Sequence, residues 1–70
     1  MMSAANTVKK LRLALHLEQK GFADELMLTK TAIFNYENGL RKPKLSIIKK
    51  MRDLAKKNGI EVSVDDFLND

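Results

Sequence analysis

Cysteine is absent from this 70-residue chain, and His16 is its one histidine. Disulfides and thiolate metal centres are therefore excluded, and one imidazole does not make a recognisable ligand set. Tryptophan is also absent and aromatic residues make up 6% against 44% apolar residues, which suits a compact aliphatic helical bundle. No apolar run approaches the roughly 20 residues needed to cross a bilayer. The opening MMSAANTVKK lacks the apolar centre of a secretion signal, so a soluble cytoplasmic protein without a membrane partner is expected. Asp65 and Asp66 are adjacent carboxylates with no partner base, and a helix start accounts for them better than chemistry does. With no nucleophile–base pair and no metal cage, no catalytic residue, cofactor or small-molecule ligand is expected.

Charge is plentiful and unevenly spread. The net charge is +4, from 13 Lys and Arg against nine Asp and Glu. Residues 1–60 hold all 13 bases and five of the acids, a balance of +8, while residues 61–70 hold the other four acids, a balance of −4. A basic body with an acidic end fits a polyanion bound on one face and the acidic end turned away. The plainer reading is an ordinary solvated surface. The length allows one domain, 1–70, whose small core calls for tight helix packing or a partner chain.

Apolar spacing predicts an all-α fold of five helices. The first is expected from about Asn6, as N-cap, to Leu15, burying Val8, Leu11 and Leu15 and leaving Leu13 outside. The second spans about Gln19 to Leu26 with Phe22, Ala23 and Leu26 inward. Gly21 inside it costs up to about 1 kcal/mol, so packing must hold this helix. The third spans about Lys30 to Glu37, capped by Thr29 and stopped by Gly39, with Ile33 and Tyr36 inward. Pro43 stiffens the loop that follows. The fourth spans about Lys44 to Lys57, burying Ile47, Ile48, Met51, Leu54 and Ala55, with Lys56 and Lys57 suited to its C-terminal dipole. Ser63-Val-Asp-Asp reads as the cap of a short fifth helix through Leu68. The alternation Ile60, Val62, Val64 also suits a short strand.

Residues 17–43, LEQKGFADELMLTKTAIFNYENGLRKP, carry the most information. Two short helices joined by so few residues must cross steeply, which is a helix-turn-helix arrangement. The second of them has polar side chains left over on its outer face and is short enough to enter a DNA major groove. The stretch resembles the Cro and repressor family of bacterial and phage helix-turn-helix regulators. Leu17, Gln19, Ala23, Leu26, Ile33, Tyr36, Glu37, Asn38, Gly39, Arg41, Lys42 and Pro43 fall in place without a gap, and Phe22, Leu28 and Thr29 are conservative replacements. With the flanking helices, the resemblance covers nearly the whole chain. Three features depart from the pattern. Glu18 stands where Ser or Thr usually caps the second helix, Met27 replaces the Gly of the turn, and the fourth helix and its exit are longer than usual. Met27 must then adopt a positive φ, at a cost of about 1–2 kcal/mol.

The outer face of the third helix offers Lys30, Thr31, Phe34 and Asn35 as base-reading residues. Asn can pair both edges of adenine, Lys can donate to guanine, and Thr or Phe can touch a thymine methyl. The resemblance implies phosphate contacts from Gln19 at a helix start and from the loop residues Asn38, Arg41, Lys42 and Lys44, where charge and position agree. It also implies a buried Arg12–Glu37 salt bridge, which is structural. Ile60, Val62, Val64, Phe67 and Leu68 exceed what one small core should absorb and are expected at a homodimer contact. The function expected is a double-stranded-DNA-binding transcriptional regulator of Cro or repressor type, acting as a homodimer on a near-palindromic operator. A restriction-modification controller or an antitoxin of the same fold would read alike. A protein-interaction adaptor that has lost DNA binding is the alternative of a different class.

Overall fold

A computed structural model describes residues 3–68. Five helices follow one another: α1 (Ala4–Ala14), α2 (Gln19–Glu25), α3 (Lys30–Glu37), α4 (Leu45–Lys57) and α5 (Val64–Leu68). The described residues contain no strand, so the expected all-α fold holds. Among the described residues, no helix is long and apolar enough to cross a membrane.

Starts and stops follow local chemistry. α1 begins earlier than its spacing suggested, because the cap is Ser3 and not Asn6. The Ser3 hydroxyl accepts from the Asn6 amide at 3.2 Å, and the helix gains a turn that buries Ala4 and Thr7. Thr29 opens α3 as expected, its hydroxyl accepting from the Ala32 amide at 3.1 Å. Ser63 and Asp66 form half of a capping box: the Asp66 carboxylate accepts from the Ser63 amide at 3.0 Å.

Helices α1 to α4 all end in the same device. The residue after each C-cap takes a positive φ: His16 (58°), Met27 (60°), Gly39 (70°) and Gly59 (74°). The next amide then reaches back to a carbonyl in the last turn, as in Leu17 to Arg12 (3.2 Å), Leu28 to Ala23 (2.8 Å), Leu40 to Asn35 (2.9 Å) and Ile60 to Ala55 (2.9 Å). These are Schellman motifs, which satisfy carbonyls that a helix end would otherwise leave open. Asn38 and Asn58, the C-caps of α3 and α4, add a side-chain bond to the carbonyl four residues back, each at 2.8 Å.

The core is aliphatic with two buried phenylalanines. Val8, Leu11, Phe22, Ala23, Leu26, Ile33, Tyr36, Ile48, Met51, Ala55 and Phe67 form it, while Leu15, Ile47 and Leu54 are only partly buried against it. Leu13 lies outside, as its spacing indicates. Phe67 departs from expectation. The apolar count sets it at a dimer contact, but it is only 2% exposed and belongs to the protein's own core. The reason is α5, which packs on α1 and α4 and turns its one aromatic inward. A hydroxyl secures this docking: buried Thr7 donates to the Asp66 carbonyl at 2.8 Å. Ile60, Val62 and Val64 pack partly against the core, so only Leu68 of the five expected residues stays well exposed. Residues 60–63 run as irregular chain and not as strand, having no neighbouring segment to pair with among the described residues.

Candidate nucleic-acid interface

The crossing of α2 and α3 is set by the turn between them. The Schellman bond from Leu28 to Ala23 turns the chain at Met27, and Thr29 immediately caps the next helix. Only four residues separate the two helices. Burying Ile33 and Tyr36 then fixes which face of α3 is left outside.

That outer face carries the expected residues. Lys30 and Thr31 are exposed, Phe34 is 48% exposed and Asn35 is half-buried. The side chains of Lys30, Thr31 and Asn35 make no hydrogen bond or ion pair among the described residues, so their donors and acceptors are available. The Asn35 backbone is occupied: its carbonyl accepts from Leu40 at 2.9 Å and from Arg41 at 3.3 Å, which ties the following loop to the end of α3. Arg41, Lys42 and Lys44 stand exposed on that loop, around a buried Pro43. Three cations are thus held close to the outer face of α3 by this connection.

Asn38 and Gln19, expected at phosphates, each make a side-chain bond within the protein. The Asn38 amide nitrogen donates to the Phe34 carbonyl, which leaves one amide proton and the carbonyl oxygen outward. The Gln19 amide nitrogen lies 3.4 Å from Glu37 Oε1, so α3 helps to orient it. The Asn38 bond follows the four-residue spacing of α3 itself, whereas the Gln19 contact joins two helices and does not follow from spacing along either. The starts of α2 and α4 lack a side-chain cap, because Glu18 and Lys44 stand where Ser, Thr, Asn or Asp would be.

One ion pair locks the site from behind. Arg12 donates through Nε to Glu37 Oε2 at 2.6 Å and through Nη2 to Oε1 at 3.0 Å. Its Nη1 reaches the Leu17 carbonyl at 2.9 Å. The two side chains are 12% and 4% exposed, so the fork is nearly dry. The hydrogen bond to Glu37 raises the Arg12 pKa, desolvation opposes this, and the charge of Glu37 adds to the rise. One carboxylate near the end of α3 therefore holds the exit of α1 and the start of α2 at once. The family resemblance had implied this pair, and the structure contains it.

The structure also adds Met27 to the neighbourhood of the interface. It is 85% exposed and lines an open groove with Leu28, Ala32, Arg41, Lys44 and Ile47. The signal in the sequence was the missing glycine of the turn. No group of three or more His, Cys, Asp or Glu suited to a metal occurs among the described residues.

A family model described as helix-turn-helix matches residues 8–58, well over half of the chain. The match spans α1 from Val8 onward, α2, the turn, α3, the basic loop and all of α4. The family is one of DNA-binding regulators and not of enzymes. Nothing among curated proteins or solved structures matches the chain.

Proposed function

The chain belongs to the helix-turn-helix family, of Cro and repressor type, and we propose that it regulates transcription by binding a specific double-stranded DNA site as a homodimer. The observation that carries this is the outer face of α3. It presents unpaired polar side chains next to an exposed basic loop, while everything apolar on α3 except Phe34 and half-buried Ala32 is turned inward.

In this reading α3 lies in the major groove. Lys30 and Asn35 hydrogen-bond base edges, and Thr31 and Phe34 meet thymine methyl groups. Arg41, Lys42 and Lys44 grip phosphates, and Gln19 and Asn38 add polar contacts to the backbone. Two copies would set their α3 helices about 34 Å apart, one DNA turn, and so require a near-palindromic operator.

The test is selection of preferred sites from random DNA, followed by affinity measured against salt. A preferred near-palindromic sequence and an affinity that falls steeply with salt are expected. The exposed Met27, Leu40 and Leu45 would equally suit a protein-binding adaptor. An adaptor gives neither a preferred sequence nor a steep salt slope.

A further inference from the structure

Between the C-terminal half of α4 and residues 60–63 lies an open groove. Ile60 and Val62 line it and remain only partly buried. Its rims carry opposite charges, Arg52 and Lys56 from α4 against Glu61 from the segment and Asp66 from α5. Lys56 and Glu61 are exposed, and neither makes an ion pair or side-chain hydrogen bond among the described residues. The amides of Glu61 and Val62 likewise have no backbone acceptor among them. This patch shares no helix with the recognition face: α3 packs chiefly on α1 and α2, and α5 on α1 and α4.

We propose that this groove is where two copies of the chain meet about a two-fold axis, with Lys56 of each copy against Glu61 of the other and Ile60 and Val62 closed between them. A two-fold interface uses the same patch twice, so each residue that meets a second is met by it in return. A patch with an unpaired cation on one rim and an unpaired anion on the other satisfies both when it is rotated onto itself. A partner carrying charge of one sign would satisfy one rim and be repelled by the other. DNA is such a partner, and it would face Glu61 and Asp66. The proposal rests on the homodimer part of the proposed function. It moves the contact away from Phe67, which belongs to the core, and onto α4, whose Arg52 and Lys56 come beside residue 61 only in the folded chain.

Charge reversal tests it. Lys56→Glu and Glu61→Lys are made separately in the full chain and checked for native helicity by circular dichroism. Association is followed by sedimentation equilibrium, at concentrations where the unaltered chain is dimeric. Each reversal places like charges together at both symmetry-related contacts and should weaken the homodimer at least roughly tenfold. Mixing the two variants restores opposite charges at both contacts, and the heterodimer should return to within about threefold of the unaltered affinity. An unaltered chain that is monomeric both free and on DNA overturns the homodimer reading and this contact together. A dimer that ignores either reversal, or one that is weakened by both but not rescued on mixing, overturns this contact alone.

Discussion

Replacing Met27 by glycine should stabilise the protein. Met27 holds φ at 60°, where a Cβ crowds the following carbonyl at a cost of about 1–2 kcal/mol. Its side chain is 85% exposed, so truncation forfeits only a few tenths of a kcal/mol of apolar burial, on the order of one-sixth of a full methionine. Glycine also loosens the unfolded chain, which costs about 0.4–1 kcal/mol. The balance favours Met27→Gly by roughly 0.5 kcal/mol, and a domain of this size shifts about 4–8 °C per kcal/mol, so Tm should rise by about 2–4 °C. Thermal melts followed by circular dichroism read this directly. Met27→Ala is the control: it removes the same side chain but keeps the strain, so its Tm should stay level or fall slightly. Gly39→Ala is the converse. A Cβ there would meet nothing within 4 Å, so the backbone strain at φ 70° is offset only by the stiffer unfolded chain, a net loss of roughly 0.8 kcal/mol, and Tm should fall by about 3–6 °C. If Met27→Gly melts at or below Met27→Ala, backbone strain at the turn is not what limits stability, and the reasoning fails.

Removing one member of the buried fork, Arg12→Ala or Glu37→Ala, should cost about 3 kcal/mol or more, read as a fall in the urea midpoint at unchanged slope. The Arg12 pKa is raised in the folded state, so its share of stability is fully present below the ordinary guanidinium range. That share is lost only as pH climbs past the raised value, and urea midpoints across neutral and mildly alkaline pH should show no decline traceable to Arg12. Phe67→Ala should cost about 3–5 kcal/mol by emptying a site that is 2% exposed, and one-dimensional NMR should show whether α5 detaches. Asn35→Ala should cost roughly 1–3 kcal/mol on a selected operator and relax preference at one base pair; an equal loss on random DNA would remove its base-reading role. Lys44→Ala should weaken binding to all sequences alike and reduce the salt slope by about one, and an unchanged slope would exclude it from phosphate contact.

The parts of this fold legible in the sequence are those written locally. Thr29 and Asn38-Gly39 bracket α3 within one turn's reach of its ends, so its expected bounds match Lys30–Glu37. The positive φ of Met27 could be read because the family resemblance sets it where the turn has glycine. His16 takes the same conformation at 58°, yet nothing in its neighbours announces it, since glycine is the usual signal and is absent. Ser3 was overlooked because alanines follow it and the apolar spacing begins only later. Phe67 was misassigned for a different reason. How much apolar surface a core absorbs depends on how α5 docks, and that is decided by long-range contacts such as Thr7 to Asp66. The Gln19–Glu37 contact joins residues 18 apart on two helices and was invisible on the same grounds.

The Schellman endings have a consequence for what kinds of change this protein can accept. Because each exit from α1 to α4 is tied by its own backbone bonds, the path of the chain is fixed by counting residues and not by which side chains they carry. Inserting a single residue at 27 or at 39 would rotate everything downstream relative to α2 or α3, and no repacking of neighbours would undo it. Lys30, Thr31 and Asn35 are the opposite case, for their side chains hold nothing in place within the chain. New residues can be exchanged there freely without disturbing the backbone that presents them. The protein therefore separates the part that must keep its length from the part that can vary, and under the proposed function its DNA preference would drift across a handful of positions while the scaffold stays still.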